Sequence, residues 1–237
     1  MKLTQGIRSL LLIGTLSGTV TTRARIKPCR EVRLRQTAGQ PPNIQMVKKE
    51  IHHYFESHEY EKEVKQVADR IIAHLRTYDH GQGKNVCYAV VFDIDDTILS
   101  SWPFHRAHNF CFTMEEYRQW ELQSDAPAIL PMQSVYDFAL AKGFTIFIVT
   151  GRRHLEHEAT VKNLHKAGFS GWRSIFYIKE DSACTRESRI VYKSSARRKI
   201  TKDGFTIIAT IGDQESDLLG GYSGAIFKLP NPLYIIP

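Results

Sequence analysis

The chain is expected to fold as an α/β protein: a Rossmann-like parallel sheet with helices on both faces and a small cap insert after the first strand. Three observations lead there. Short, β-branched apolar runs recur along the chain, helical patterns lie between them, and the three strongest runs each end in polar residues. A continuous apolar run is the mark of a strand buried on both faces. Strands that alternate with helices imply a mostly parallel sheet covered on both sides.

The first twenty-four residues stand apart from this pattern. Lys2 and Arg8 precede an apolar stretch from Leu10 to Leu16 that continues through small residues to Val20. This is the charged-then-apolar layout of a secretory leader, with a weak cleavage site at Thr22-Arg23-Ala24. The stretch is glycine-broken and shorter than the ~20 apolar residues of a membrane span, so no stable span is expected. Residues 1–24 are therefore read as a signal peptide and the protein as exported, periplasmic or secreted. The alternative is a disordered extension on a cytoplasmic protein. Residues 25–43 read as a basic, irregular arm that ends in Gly39-Gln40-Pro41-Pro42-Asn43.

The third segment, 44–237, is expected to be the folded domain. From Ile44 to about Tyr78 the pattern is helical, with Val64, Val67, Ile71, Ile72 and Leu75 on one apolar stripe. The glycines of Asp79-His80-Gly81-Gln82-Gly83 end it in a turn. The strands are residues 86–92, 145–149 and 206–211, with shorter candidates at 174–178 and 225–227. Helical patterns fall around 131–142, 155–167, 194–201 and 215–219. The cap insert occupies about 99–130.

Composition narrows the function classes. The chain has 237 residues and a formal charge of +7, with Arg23, Arg25, Lys27, Arg30, Arg33 and Arg35 clustered early. No aromatics interleave with that cluster, so it reads as a solvated basic segment and no nucleic-acid partner is expected. Cys29, Cys87, Cys111 and Cys184 form no CxxC pair, which argues against a zinc site. In an exported protein they permit disulfides; buried free thiols are the equal alternative.

The chemistry gathers where strands end. The first runs into Asp93-Ile94-Asp95-Asp96-Thr97, the second into Thr150-Gly151-Arg152, and the third into Gly212-Asp213-Gln214-Glu215-Ser216-Asp217. Each motif alone is ordinary: aspartates cap helices and form turns, and glycine turns a chain. Parallel strands bring all three ends to one edge, where ligands bind in such sheets. Carboxylates, a hydroxyl and a cation together suit a divalent metal and a phosphate.

With these motifs the sequence resembles the haloacid dehalogenase-like superfamily. Residues 86–237 are similar to its subfamily IIIB, or class B type, acid phosphatases, which include plant vegetative-storage-protein relatives and bacterial enzymes. Val191-Tyr192-Lys193-Ser194-Ser195-Ala196-Arg197 and Phe227-Lys228-Leu229-Pro230-Asn231-Pro232 extend the match. The resemblance implies a magnesium-dependent phosphatase acting on a small phosphate monoester. Asp93 would be the nucleophile and Asp95 the acid and base. Mg²⁺ would be held by Asp93, the Asp95 backbone carbonyl and Asp213, with Asp217 supporting. Thr150, Gly151 and Lys193 would bind phosphate. A superfamily dehalogenase lacks an acid at the Asp95 position, so Asp95 favours phosphate chemistry. Some storage proteins of this branch have lost the nucleophile; Asp93 is present here. A phosphotransferase and a noncatalytic storage or binding protein remain the alternatives, and the oligomeric state is open.

The insert is rich in aromatics and histidines. Phe110, Phe112, Tyr117 and Trp120 are expected mainly to pack, while His105 and His108 are candidate substrate contacts. His52, His53 and His58 read as positions on a surface helix. Arg152 is expected to touch phosphate or pair with an acid, and Arg153, Arg197 and Arg198 to lie on the surface.

Overall fold

Each of the three strong apolar runs forms a strand, and all are parallel. The computed structural model describes residues 41–78, 86–179 and 185–236. The leader, nearly all of the arm, the turn at 79–83, Cys29 and Cys184 lie outside the described residues. The strands are β1 (Cys87–Phe92), β2 (Thr145–Arg153), β3 (Ser174–Ile178), β4 (Phe205–Gly212) and β5 (Ala225–Lys228), in the order β3-β2-β1-β4-β5. The order reverses at β1, which pairs with β2 on one side and β4 on the other. A crevice opens at such a reversal, beyond the carboxyl ends of the central strands.

Successive side chains of a strand point to opposite faces, and the core divides accordingly. Val90, Phe92, Ile146 and Ile148 face one layer, with Val64, Ile71 and Leu75 of α2 (Glu59–Leu75) and Met132, Val135 and Tyr136 of α5 (Leu130–Ala141). Ala89, Val91, Phe147, Val149 and Ile207 face the other, against Ala196 and Ile200 of α7 (Arg186–Lys202). The continuous apolar runs are thus explained by two-sided burial.

The single helix expected over 44–78 is two. α1 (Ile44–Glu56) stops at Ser57, and His58 has φ +63° before α2 begins. The break lets Phe55 lie flat on Trp102, with ring centroids 4.2 Å apart and planes 5° apart, and pack on Tyr60 at 4.5 Å. α1 buries none of its residues, so the apolar stripe belongs to α2 alone.

The insert holds α3 (Trp102–Ala107) and α4 (Met114–Gln123). A capping box starts α4: Thr113 N donates to Glu116 Oε2 at 2.6 Å and Glu116 N to Thr113 Oγ1 at 3.2 Å. Of the aromatics expected to pack, Phe112, Tyr117 and Trp120 gather around Phe104, while Phe110 lies against His52 and Trp102. The short helix expected at 215–219 is α8 (Glu215–Leu218), and α6 (His157–Lys166) follows a 3₁₀ turn at His154–Glu156. β2 runs through Thr150-Gly151-Arg152 rather than stopping before it, with its pairing to β3 shifted after Val149.

The upstream helix α2 is part of the main core, since Ile71 is fully buried. Ile71→Ala is expected to cost about 2–5 kcal/mol of stability, read from the urea midpoint at unchanged slope.

Candidate active site

The ends of β1, β2 and β4 and the face of α7 converge on one cavity of about 320 Å³. Asp93 follows β1 directly. Its Oδ1 accepts from Lys193 Nζ at 2.7 Å, and Lys193 also donates to Asp217 Oδ1. Lys193 therefore bridges the first and third motifs. Its side chain is 4% exposed and those of Asp93 and Asp217 are 8% and 3%, so the three charges interact out of bulk water.

Asp217 reaches this position because residue 212 has no side chain. A Cβ on Gly212 would lie 2.3 Å from the Asp217 carboxylate. Gln214 N donates to Asp217 Oδ2 at 2.9 Å and fixes the turn. Carboxylate oxygens of Asp93, Asp213 and Asp217 come within 4.8 Å of one another. Asp213 accepts at Oδ2 from Gln214 Nε2 at 2.7 Å and Asn231 Nδ2 at 2.6 Å, and Thr97 Oγ1 donates to Oδ1 at 3.3 Å.

The carboxylate of Asp95 takes a different partner. Arg152 Nε donates to Oδ2 at 3.0 Å and Nη2 to Oδ1 at 2.6 Å, a two-point clasp. Pairing with an acid, one of the two expectations for Arg152, is present, and Arg152 also lines the cavity. The same guanidinium lies 3.4 Å from Glu121 on α4, which ties the insert to the loop after β1. Gly151 lines the cavity; a Cβ there would meet Arg189 Nη1 at 2.6 Å, and that group donates to the Gly151 carbonyl at 2.7 Å. Thr150 is fully buried and not among the cavity-lining residues; its Oγ1 accepts from Arg152 N at 3.1 Å.

A profile of the HAD superfamily, subfamily IIIB (acid phosphatase), matches residues 18–237. The chain belongs to this acid phosphatase family. It is 35% identical over 182 residues to acid phosphatase 1 of Solanum lycopersicum, covering 75% of this chain and 69% of the tomato protein. It is 37% identical over 151 residues to the stem 28 kDa glycoprotein of Glycine max, covering 62% of this chain and 59% of that one. Vegetative storage protein 1 of Arabidopsis thaliana is 34% identical over 62% of this chain and 55% of its own length. A class C acid phosphatase from Bacillus anthracis shares the fold, with TM-score 0.65, 18% identity and coverage of 81% and 85% of the two chains.

Within this acid phosphatase the site is electrostatically unbalanced. Burial, opposed by Lys193, pushes the Asp93 carboxyl up, and Asp217 and Asp213 push it further. Burial, then Asp217 and Asp96, raises Asp213 to about 7. Burial raises Asp96 to about 7 against two bonds from Ser101. Burial works to discharge Lys193, but Asp217 and Asp93 overcome it and hold the ammonium above its ordinary range. Carboxylates that retain protons near neutrality lack positive charge.

Of the cap histidines, His105 lines the cavity and His108 does not: His108 stacks on Phe104 at 4.0 Å and its Nδ1 lies 2.9 Å from the Phe104 carbonyl. Burial lowers His105 to about 4, so its ring is neutral.

Arg197 is not on the surface. It is 1% exposed and donates to the carbonyls of Asp217, Leu219 and Gly221. It stands one helical turn beyond Lys193, so α7 grips both the carboxylate and the backbone of the third motif. Position i+4 from Lys193 was the available signal. Glu121, Arg189 and Tyr234 also line the cavity and carry no local motif.

With divalent ions chelated, Asp96 and Asp213 bind protons more tightly folded than unfolded. Their contribution to stability is therefore fullest in acid and is lost as pH rises from about 4 through about 7. The melting temperature in EDTA is expected to fall between pH 5 and pH 8, and to fall less in Asp213→Asn.

Proposed function

We propose that this acid phosphatase hydrolyses phosphate monoesters through attack by Asp93 and formation of an aspartyl-phosphate, with magnesium. The observation that supports the reading is the meeting of Asp93, Lys193, Asp213 and Asp217 in one cavity at the sheet's reversal point. All-oxygen donors suit a hard cation such as Mg²⁺, and the excess of buried carboxylate leaves room for its charge. Asp93, Asp213 and the Asp95 carbonyl would hold it, with Asp217 beside them. When bound it offsets the repulsion between carboxylate and phosphate and orients both.

The chain's own residues account for the remaining steps. An Asp93 oxygen bonds to phosphorus as the bond to the ester oxygen breaks. Asp95 gives that oxygen a proton, and the alcohol departs. Asp95 then takes a proton from water, whose oxygen attacks phosphorus and releases Asp93 and inorganic phosphate. To turn toward the ester oxygen, Asp95 gives up part of its clasp with Arg152. Lys193 balances the charge of the transferred group, and Gly151 gives backbone access to it. Thr150 supports the loop through the Arg152 amide. The cap covers the leaving group and excludes water.

Two variants of the reading remain. With an alcohol in place of water the same site is a phosphotransferase. A storage role is raised by the Arabidopsis relatives named as vegetative storage proteins, but the Lys193–Asp93 pair supports catalysis. The names of the soybean relatives, as glycoproteins, favour export of this chain and a leader at 1–24. No helix among the described residues is long and apolar enough to cross a membrane.

Purified protein is expected to release a chromophore from an aryl phosphate ester with Mg²⁺ and to stop in EDTA. Asp93→Asn should lower the rate about a thousandfold or more with an unchanged circular dichroism spectrum. Full activity in that variant rejects Asp93 as nucleophile, and no turnover by wild type from acid to neutral pH supports the storage reading.

A further inference from the structure

The chain after β5 does not leave the site. Leu229 N donates to the Gly212 carbonyl at 2.9 Å, at the end of β4. Pro230 and Pro232 then fix φ on both sides of Asn231, so little conformational freedom is lost in placing it. Both ends of the Asn231 amide are committed. Its Oδ1 accepts from Leu233 N at 2.8 Å, which leaves Nδ2 to donate to Asp213 Oδ2 at 2.6 Å. Gln214 is used in the same way: Nε2 donates to Asp213 Oδ2 at 2.7 Å, and Oε1 accepts from Ile236 N at 3.3 Å. Two amides therefore join one carboxylate to the 229–236 segment.

That segment also reaches the cap. The Tyr234 ring lies over His105 at 5.9 Å with planes 14° apart. Tyr234, Ile235 and Ile236 line the cavity beside Asp93.

A carboxylate oxygen has two lone pairs. Two amide donors fill Oδ2 of Asp213, while Oδ1 has a single donor, Thr97 Oγ1 at 3.3 Å. We propose that Asn231 is a positioning residue: with Gln214 it occupies one oxygen of Asp213 and turns the other toward a divalent cation shared with Asp93. The inference rests on the magnesium-dependent reading above and extends it to a residue of the strap. Outer partners that orient a ligating carboxylate are worth about 10–100-fold in metal affinity.

The test titrates Mg²⁺ into the EDTA-stripped full chain and follows the melting temperature, a readout independent of turnover. Asn231→Ala removes both bonds. Asn231→Ser keeps a short acceptor for Leu233 N–H but does not span to Asp213. Both variants are expected to need about tenfold more Mg²⁺ or greater for the half-maximal shift. Their kcat at saturating Mg²⁺ should fall far less than kcat at limiting Mg²⁺. A wild-type midpoint in Asn231→Ser, with or without a change in Asn231→Ala, overturns the proposal, because Asn231 then serves only its turn. A wild-type chain whose melting temperature ignores Mg²⁺ overturns the magnesium reading itself, and the inference with it.

Discussion

The structure at the sheet's edge depends on one buried ammonium. Lys193 stands between Asp93, at the end of β1, and Asp217, on α8 beyond the end of β4, two residues far apart in sequence. Buried charges are tolerated when they are paired and hydrogen-bonded, and removing one partner of such a pair is costly. Asp213 and Asp96 bring further carboxylate charge that Lys193 alone does not balance. The same excess of buried carboxylate suits the site to a cation.

The neighbouring elements reduce the freedom of these charges. Gly212 lets Asp217 fold back onto its own strand, and Arg197 ties down the three carbonyls that follow. Gly151 lets Arg189 approach the second strand's end. Arg152 clasps Asp95 and touches Glu121, so the loop after β1, the second motif and the insert share one guanidinium. The chain after β5 closes the last side through amides rather than charges. A site built this way is preorganised because hydrogen bonds and ion pairs from several elements hold its carboxylates.

Family membership explains why two kinds of relatives share this frame. Acid phosphatase 1 and vegetative storage protein 1 are both similar to this chain, so the chemistry is argued from the charged groups at one edge of the sheet, where function is added to a fold.

The amino-acid sequence by itself determined the strands, their parallel order of burial, and the three polar motifs at their ends. It could do so because buried strands and strand-end turns are local patterns, set by side-chain period and turn chemistry. Asp93 and Asp213 were legible because strand-end motif and family resemblance coincide there, and Lys193 through the resemblance alone. The break at His58 was hidden, because Phe55 finds Trp102 only after folding. Arg197 read as a surface cation because its carbonyl partners lie about twenty residues away. Tertiary structure alone decided that Arg152 takes Asp95 and that Asn231 meets Asp213. Each is a contact between segments distant in the chain, and no local propensity encodes the geometry in which they meet.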